Sequence, residues 1–192
     1  VNVGSIGIDV GSEPTNRGLS TFDAPSRDVE AFTLTGKVGM GDIDYDESTN
    51  TMYIVNLFDK SLYAIENINP TVTPTMTDVK GPWLINAGIT CNNGELRPFG
   101  IRLYEGFLYA TGTCTGESSV DATKSDLVLY VFRMDIENRD AGFTEVLSRV
   151  LDYNRASYLG TKTWKTWYYC DTYVESRWED QCVHPHASNI DF

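Results

Sequence analysis

Residues 41–67 read GDIDYDESTNTMYIVNLFDKSLYAIEN, and the punctuation of this stretch decides the fold. GDIDY alternates apolar and acidic residues with the period of two that belongs to a strand. DESTN is a cluster of turn formers. TMYIVN is rich in β-branched and aromatic residues, LFDK makes a second tight connection, and SLYAIEN is a third short strand. Short strands joined by short polar turns form an antiparallel meander. In the first strand, Ile43 and Tyr45 are expected to pack inward, with Asp42 and Asp44 together on the other face.

Working outward, the same unit recurs. RPFGIRLY (97–104) is a strand, Glu105-Gly106 a hairpin turn, and FLYATG (107–112) the returning strand. SDLVLYVFRMD (125–135) is the third. TEVLSRVLDY (144–153) supplies a fourth, outer strand, and is the one stretch that also fits a helix. SNIDF (188–192) repeats the start of the first strand. Set side by side, GDIDY matches GIRLY and SNIDF, TMYIVN matches FLYATG, and SLYAIEN matches LVLYVFRMD. Imperfect copies of one four-stranded sheet are the signature of a β-propeller blade. The expectation is therefore all-β, a partial β-propeller of antiparallel four-stranded blades with long inserted loops. The expected boundaries are an incomplete first blade at 1–36, blades at 37–90 and 91–155, a loop insert at 156–187, and the start of a further blade at 188–192. The spacing of Ile43, Ile101 and Ile190 exceeds the ~40–45 residues of WD-type blades. Pro70–Asn93 and 156–187 are read as the inserts, and DAPSRDVEAF (23–32) as one or two helical turns.

The 192 residues carry 15 Lys+Arg against 27 Asp+Glu, a net charge of −12, with 41% hydrophobic and 22% charged residues. That balance is globular rather than disordered. It argues against nucleic acid, whose phosphates need basic contacts. No apolar run approaches the roughly 20 residues that span a bilayer, so no membrane insertion by this segment is expected. The opening VNVGSIGIDVG lacks the basic start and apolar run of a signal peptide. HPHASNIDF at the other end reads as a linker entering a strand. Both ends suggest a portion of a longer or processed chain, whose remaining blades, or other chains, close the ring.

Four cysteines are present, Cys91, Cys114, Cys170 and Cys182, with no C-x-x-C pair. Cys91 and Cys114 bracket the 97–112 hairpin, and Cys170 and Cys182 bracket a polar aromatic loop. Two disulfides, 91–114 and 170–182, and an oxidising, extracellular setting are expected.

The run from Arg17 to Ile65 is similar to a segment of large bacterial surface proteins of the serine-aspartate-repeat-like and Cna-B-associated type, which carry a β-propeller region. The matching features are Arg17-Gly18-Leu19, APSRD, GKVGMGDID and the Tyr-Ile-Val-Asn-Leu strand. Cys91, Arg97-Pro98-Phe99, the Leu108-Tyr109 strand, Cys114 and the tail HPHASNID extend it, with His186 where that family has Gln-Pro. The resemblance implies an exported, cell-surface propeller. It implies no catalytic activity and carries over no functional residues.

Candidate chemistry is sparse. Asp42, Asp44 and Asp46 alternate as calcium ligands do, yet the sixth and twelfth positions of an EF-hand loop are Glu47 and Tyr53, where Gly and Glu are needed. They are kept only as weak calcium candidates, and no cofactor is otherwise expected. His184 and His186 flank Pro185 with no third ligand fixed by sequence. Gly36, Gly39 and Gly41 lack the helix and lysine of a phosphate loop. Carboxylates near strand ends (Asp9, Asp42, Asp44, Asp126, Asp191) are the acids an axial glycosidase would use. Trp164, Trp167, Tyr168, Tyr169 and Trp178 offer large area at low entropic cost, for sugar faces or protein surfaces; the alternative is that they cover the blade. The expected role is non-catalytic adhesion or recognition of glycan or protein. The rivals are a secreted polysaccharide-degrading propeller enzyme and a structural subunit of a surface assembly.

Overall fold

A computed structural model describes residues 3–12, 33–155, 162–171, 185–188 and 190. Two four-stranded antiparallel sheets dominate it. The first contains β1 (Met40–Asp46), β2 (Thr51–Asn56), β3 (Ser61–Ile65) and β4 (Val79–Leu84). The second contains β5 (Leu96–Tyr104), β6 (Phe107–Cys114), β7 (Val128–Asp135) and β8 (Thr144–Val150). Each is a simple meander whose spatial order follows the chain. A two-stranded ribbon, β9 (Asn154–Arg155) with β10 (Lys162–Thr163), a short helix, α1 (Trp167–Asp171), and 3₁₀ turns at Val3–Ile6, Met76–Asp78, Lys124–Asp126 and Arg139–Ala141 accompany them. Among the described residues the sheets close no ring. No helix among them is long and apolar enough to cross a membrane.

The connections form where the side chains demand them. Asp46 accepts the Ser48 amide at 2.9 Å and the Ser48 and Thr49 hydroxyls at 2.6 and 2.8 Å, fixing the β1–β2 turn as an Asx turn. The Ser48 hydroxyl, followed by that of Thr49, holds the Asp46 carboxyl below its ordinary value. Glu105 and Gly106 both have positive φ, the requirement of a two-residue hairpin turn matched to strand twist.

The sheets are copies in register as well as in order. The β1–β2 pairing shifts between Met40 and Ile43, and the β5–β6 pairing between Pro98 and Ile101. The outer pairing shifts between Leu62 and Ala64 in the first sheet and between Val131 and Phe132 in the second. Bulges re-aim strands at fixed places, so matching bulges make one structural unit repeated. The two units stack face to face. Tyr53, Val55, Leu62 and Ala64 meet Ile101, Leu108, Ala110, Phe132 and Met134 in the main core. The far face of the first sheet (Ile54, Tyr63, Ile65) is covered by a strap, residues 3–10, through Ile6 and Ile8. The strap is pinned where Asn56 Nδ2 donates to Asp9 O and Gly39 N to Val10 O, both at 2.7 Å.

Two expectations need correction. Ile43 and Tyr45 do not pack inward: they are 46% and 39% exposed, while Asp42 and Asp44 face the second sheet. The reason is polar. As an edge strand, β5 has amides that no neighbouring strand pairs, and the two carboxylates satisfy them. Second, the stretch read wholly as an insert, Pro70–Asn93, contains β4. The 23–32 stretch lies outside the described residues.

Candidate functional site

The seam between the sheets is built from the alternating acids. Asp42 Oδ1 accepts from Ile43 N at 2.9 Å and its Oδ2 from Ile101 N at 3.0 Å. Asp44 repeats this with Tyr45 N at 2.9 Å and Leu103 N at 2.6 Å. Each carboxylate thus bridges two strands with both oxygens. Gly41 makes the approach possible, since a Cβ there would sit 2.9 Å from Phe99 O. Asparagine keeps the shape but puts an NH2 against one of the two amides. Asp44→Asn is expected to cost about 1–3 kcal/mol, read as a lower urea midpoint. A midpoint unchanged from wild type would show that the bridge does not hold the sheets.

A charged network lies at one end of this seam. Arg97 grips Glu117 with Nη2 to Oε1 at 2.6 Å and Nε to Oε2 at 3.3 Å, and reaches Glu95 at 3.2 Å. Lys60 reaches Glu95 at 2.8 Å, and this bond, foremost among its neighbours, holds the Glu95 carboxyl down. Beyond the network, Trp167 is 1% exposed. Its amide donates to Thr115 O at 2.9 Å and its indole N–H to Pro185 O at 3.3 Å. The His186 ring lies between Trp167 and Phe99, centroids 4.7 and 5.5 Å away. Burial there pushes the His186 imidazole below its ordinary pKa, so the fold favours the neutral ring. This contribution is complete above the unfolded value of about 6.5 and is lost as pH falls through it toward the lower folded value. The thermal midpoint is expected to drop from pH 7 to pH 5, less steeply in His186→Gln. Identical slopes for the two proteins would refute the assignment.

The remaining flagged aromatics divide. Trp164 and Tyr169 line a cleft of about 220 Å³, with Thr123 and Lys124 from the β6–β7 connection and Thr163, Lys165 and Thr166 beside them. Tyr168 is half-buried on α1. Trp164 meets Tyr153 edge to face at 6.3 Å, the Arg149 guanidinium lies 5.9 Å from the Tyr153 ring, and Lys165 Nζ lies 4.8 Å from the Tyr169 ring. Lys124 Nζ donates to Asp152 O. Trp178, Cys182, His184 and Asp191 lie outside the described residues.

Of the expected disulfides, Cys91–Cys114 is formed; Cys170 is also disulfide-bonded. The three aspartates weighed for calcium are engaged separately, two in the seam and Asp46 in its turn. Among the described residues no group of three or more His, Cys, Asp or Glu gathers to hold a metal. Asp126 is held by the Thr123 amide at 2.7 Å, and Asp9 by the Gly11 amide at 2.9 Å.

Sequence reasoning missed a larger groove of about 540 Å³ between β4 and the β7–β8 turn, lined by Lys80, Trp83, Glu137 and Asp140 among others. Much of its polar surface is engaged internally. Trp83 Nε1 donates to Asp140 at 3.2 Å, and Arg139 lies 4.9 Å from the Trp83 ring while pairing with Glu66 at 2.7 Å. Lys124 and Lys165 were missed as well, since no local motif links two lysines so far apart in the chain. Comparison with family models, curated proteins and solved structures finds no match for this chain.

Proposed function

We propose that this chain is a non-catalytic segment of an extracellular β-propeller, acting in cell-surface adhesion or recognition of glycan or protein. The repeated, face-to-face four-stranded unit supports the propeller reading, and the Cys91–Cys114 disulfide suits export to an oxidising setting. The observation that carries the recognition role is the cleft where Trp164 and Tyr169 meet the β6–β7 connection: aromatic walls, hydroxyls and cations on a rigid β frame. The enzyme alternative loses support because Asp42 and Asp44 are committed to four backbone amides. Binding of the 192-residue chain to a panel of immobilised glycans and extracellular matrix proteins tests the reading. Saturable binding to at least one member is expected, reduced tenfold or more in Trp164→Ala and in Tyr169→Ser; none across the panel counts against it.

A structural-subunit role has one observation in its favour. Ile101 is 2% exposed beneath the first sheet, whereas Ile43, its match in the repeat, is 46% exposed. The first sheet therefore offers a strip, Met40, Ile43 and Tyr45, at the place where the second is covered by a neighbour. Sedimentation of the chain over a range of concentrations tests this role: self-association abolished by Ile43→Asp supports it, and a monomer throughout opposes it.

A further inference from the structure

We propose that the Trp164–Tyr169 cleft takes a carboxylated sugar; this rests on the recognition reading above and names its ligand class. The cleft is walled from two distant parts of the chain. Lys124 comes from the short 3₁₀ turn Lys124–Asp126 that precedes β7, and Lys165 from the segment leading into α1. The far wall is tied to the frame by the Trp167 amide on Thr115 O. The near wall is braced within its own turn by Thr123 N and Oγ1, which donate to Asp126 at 2.7 and 3.3 Å, and is tied to the frame where Leu151 N donates to Leu127 O at 2.8 Å. A site held on both sides loses little entropy when a ligand enters.

The electrostatics select the ligand's sign. The chain carries a net charge of −12, and Lys60, Lys80, Arg97 and Arg139 are all ion-paired. Among the described residues Lys124 and Lys165 have no carboxylate partner: one donates to a carbonyl and the other lies over a ring. Arg149, close to Tyr153 behind Trp164, adds a third cation without a carboxylate partner among the described residues. The near carboxylate, Asp126, is occupied by Thr123. Ammonium groups without carboxylate partners gain from a charge-assisted bond to a ligand carboxylate. The other lining groups argue for a sugar. Trp164 and Tyr169 present aromatic surface to C–H faces, and Thr163 presents a hydroxyl to ring hydroxyls. At about 220 Å³ the cleft is smaller than the ~300–1,000 Å³ of drug-sized pockets, which suits one sugar ring rather than a wrapped chain.

The test compares matched pairs by calorimetry: trigalacturonate against galactotriose, and sialyllactose against lactose, with wild type and the double variant Lys124→Gln/Lys165→Gln. At least one acidic probe is expected to bind tenfold or more tighter than its neutral partner. That preference should weaken with added salt and vanish in the double variant, where the acidic probe falls to the affinity of its neutral partner. Both lysines are partly solvent-exposed, and an unchanged circular dichroism spectrum confirms the fold. Equal affinity within both pairs, or a preference that survives the double variant, overturns the acidic-sugar assignment while the recognition reading stands on whichever ligand binds. No binding of any of the four sugars also overturns it; protein binding in the panel above then separates failure of the ligand class from failure of the recognition role.

Discussion

Phe132→Ala is expected to destabilise the chain by about 3–5 kcal/mol, the range for truncating a buried aromatic. Phe132 is fully buried and stands where the two sheets meet. It pairs across the ladder with Ala110, and a Cβ on Gly112 would lie 3.2 Å from its ring, so two small residues on β6 make the room it fills. Tyr130 stacks on the same face at 5.7 Å. Removing the ring leaves a void between the stacked sheets. Urea unfolding should show a lower midpoint with an unchanged slope. Phe58→Ala, at an exposed turn residue, should stay within about 0.5 kcal/mol of wild type. A loss at Phe132 no larger than at Phe58 would mean that the inter-sheet core is not what holds the molecule.

The second large effect concerns the Cys91–Cys114 bridge, whose partners are 23 residues apart with Cα atoms 5.4 Å apart. It ties the connection after β4 to the end of β6, and so fastens the first sheet's exit to the second sheet's frame. By the loop-closure argument, Cys91→Ala/Cys114→Ala should lose about 3 kcal/mol. Cys114 lies in the main core, so alanine is chosen over serine to avoid burying a hydroxyl. A scan with and without reductant gives a second reading: wild type should fall at least as far as the double variant, which still has the bond at Cys170. A variant as stable as wild type would show that the seam and core alone set the stability.

How far the sequence could be read depends on which physical signal each part carries. β1 to β3 and the Glu105-Gly106 hairpin were legible because alternation and turn chemistry are local. β4 was not. VKGPWL contains Gly81 and Pro82, both of which speak against a strand, and only its place at the sheet edge lets proline sit there. The orientation of GDIDY was misread for a related reason. Alternation separates two faces but does not say which one meets a neighbour, and the amides of β5 that call for Asp42 and Asp44 lie far along the chain. The aromatic loop was visible as composition. Trp167 became interior and Trp164 and Tyr169 became walls through contacts with Thr115 and the β6–β7 connection, which only the folded chain brings close.

The bridging carboxylates have a consequence for how such a molecule can be built or rebuilt. The gift runs one way: β1 lends acceptor oxygens to β5, while by ladder register, which sets Ile43 with Ile101 and shifts the letter match of GDIDY to GIRLY by one residue, the positions on β5 that match Asp42 and Asp44 are Gly100 and Arg102. The two modules are therefore not interchangeable bricks. A tandem duplicate of the second module would set a new leading strand beside glycine and arginine, with no oxygen to meet its amides. Any lengthening of the array by copying must start from the module that carries the aspartates.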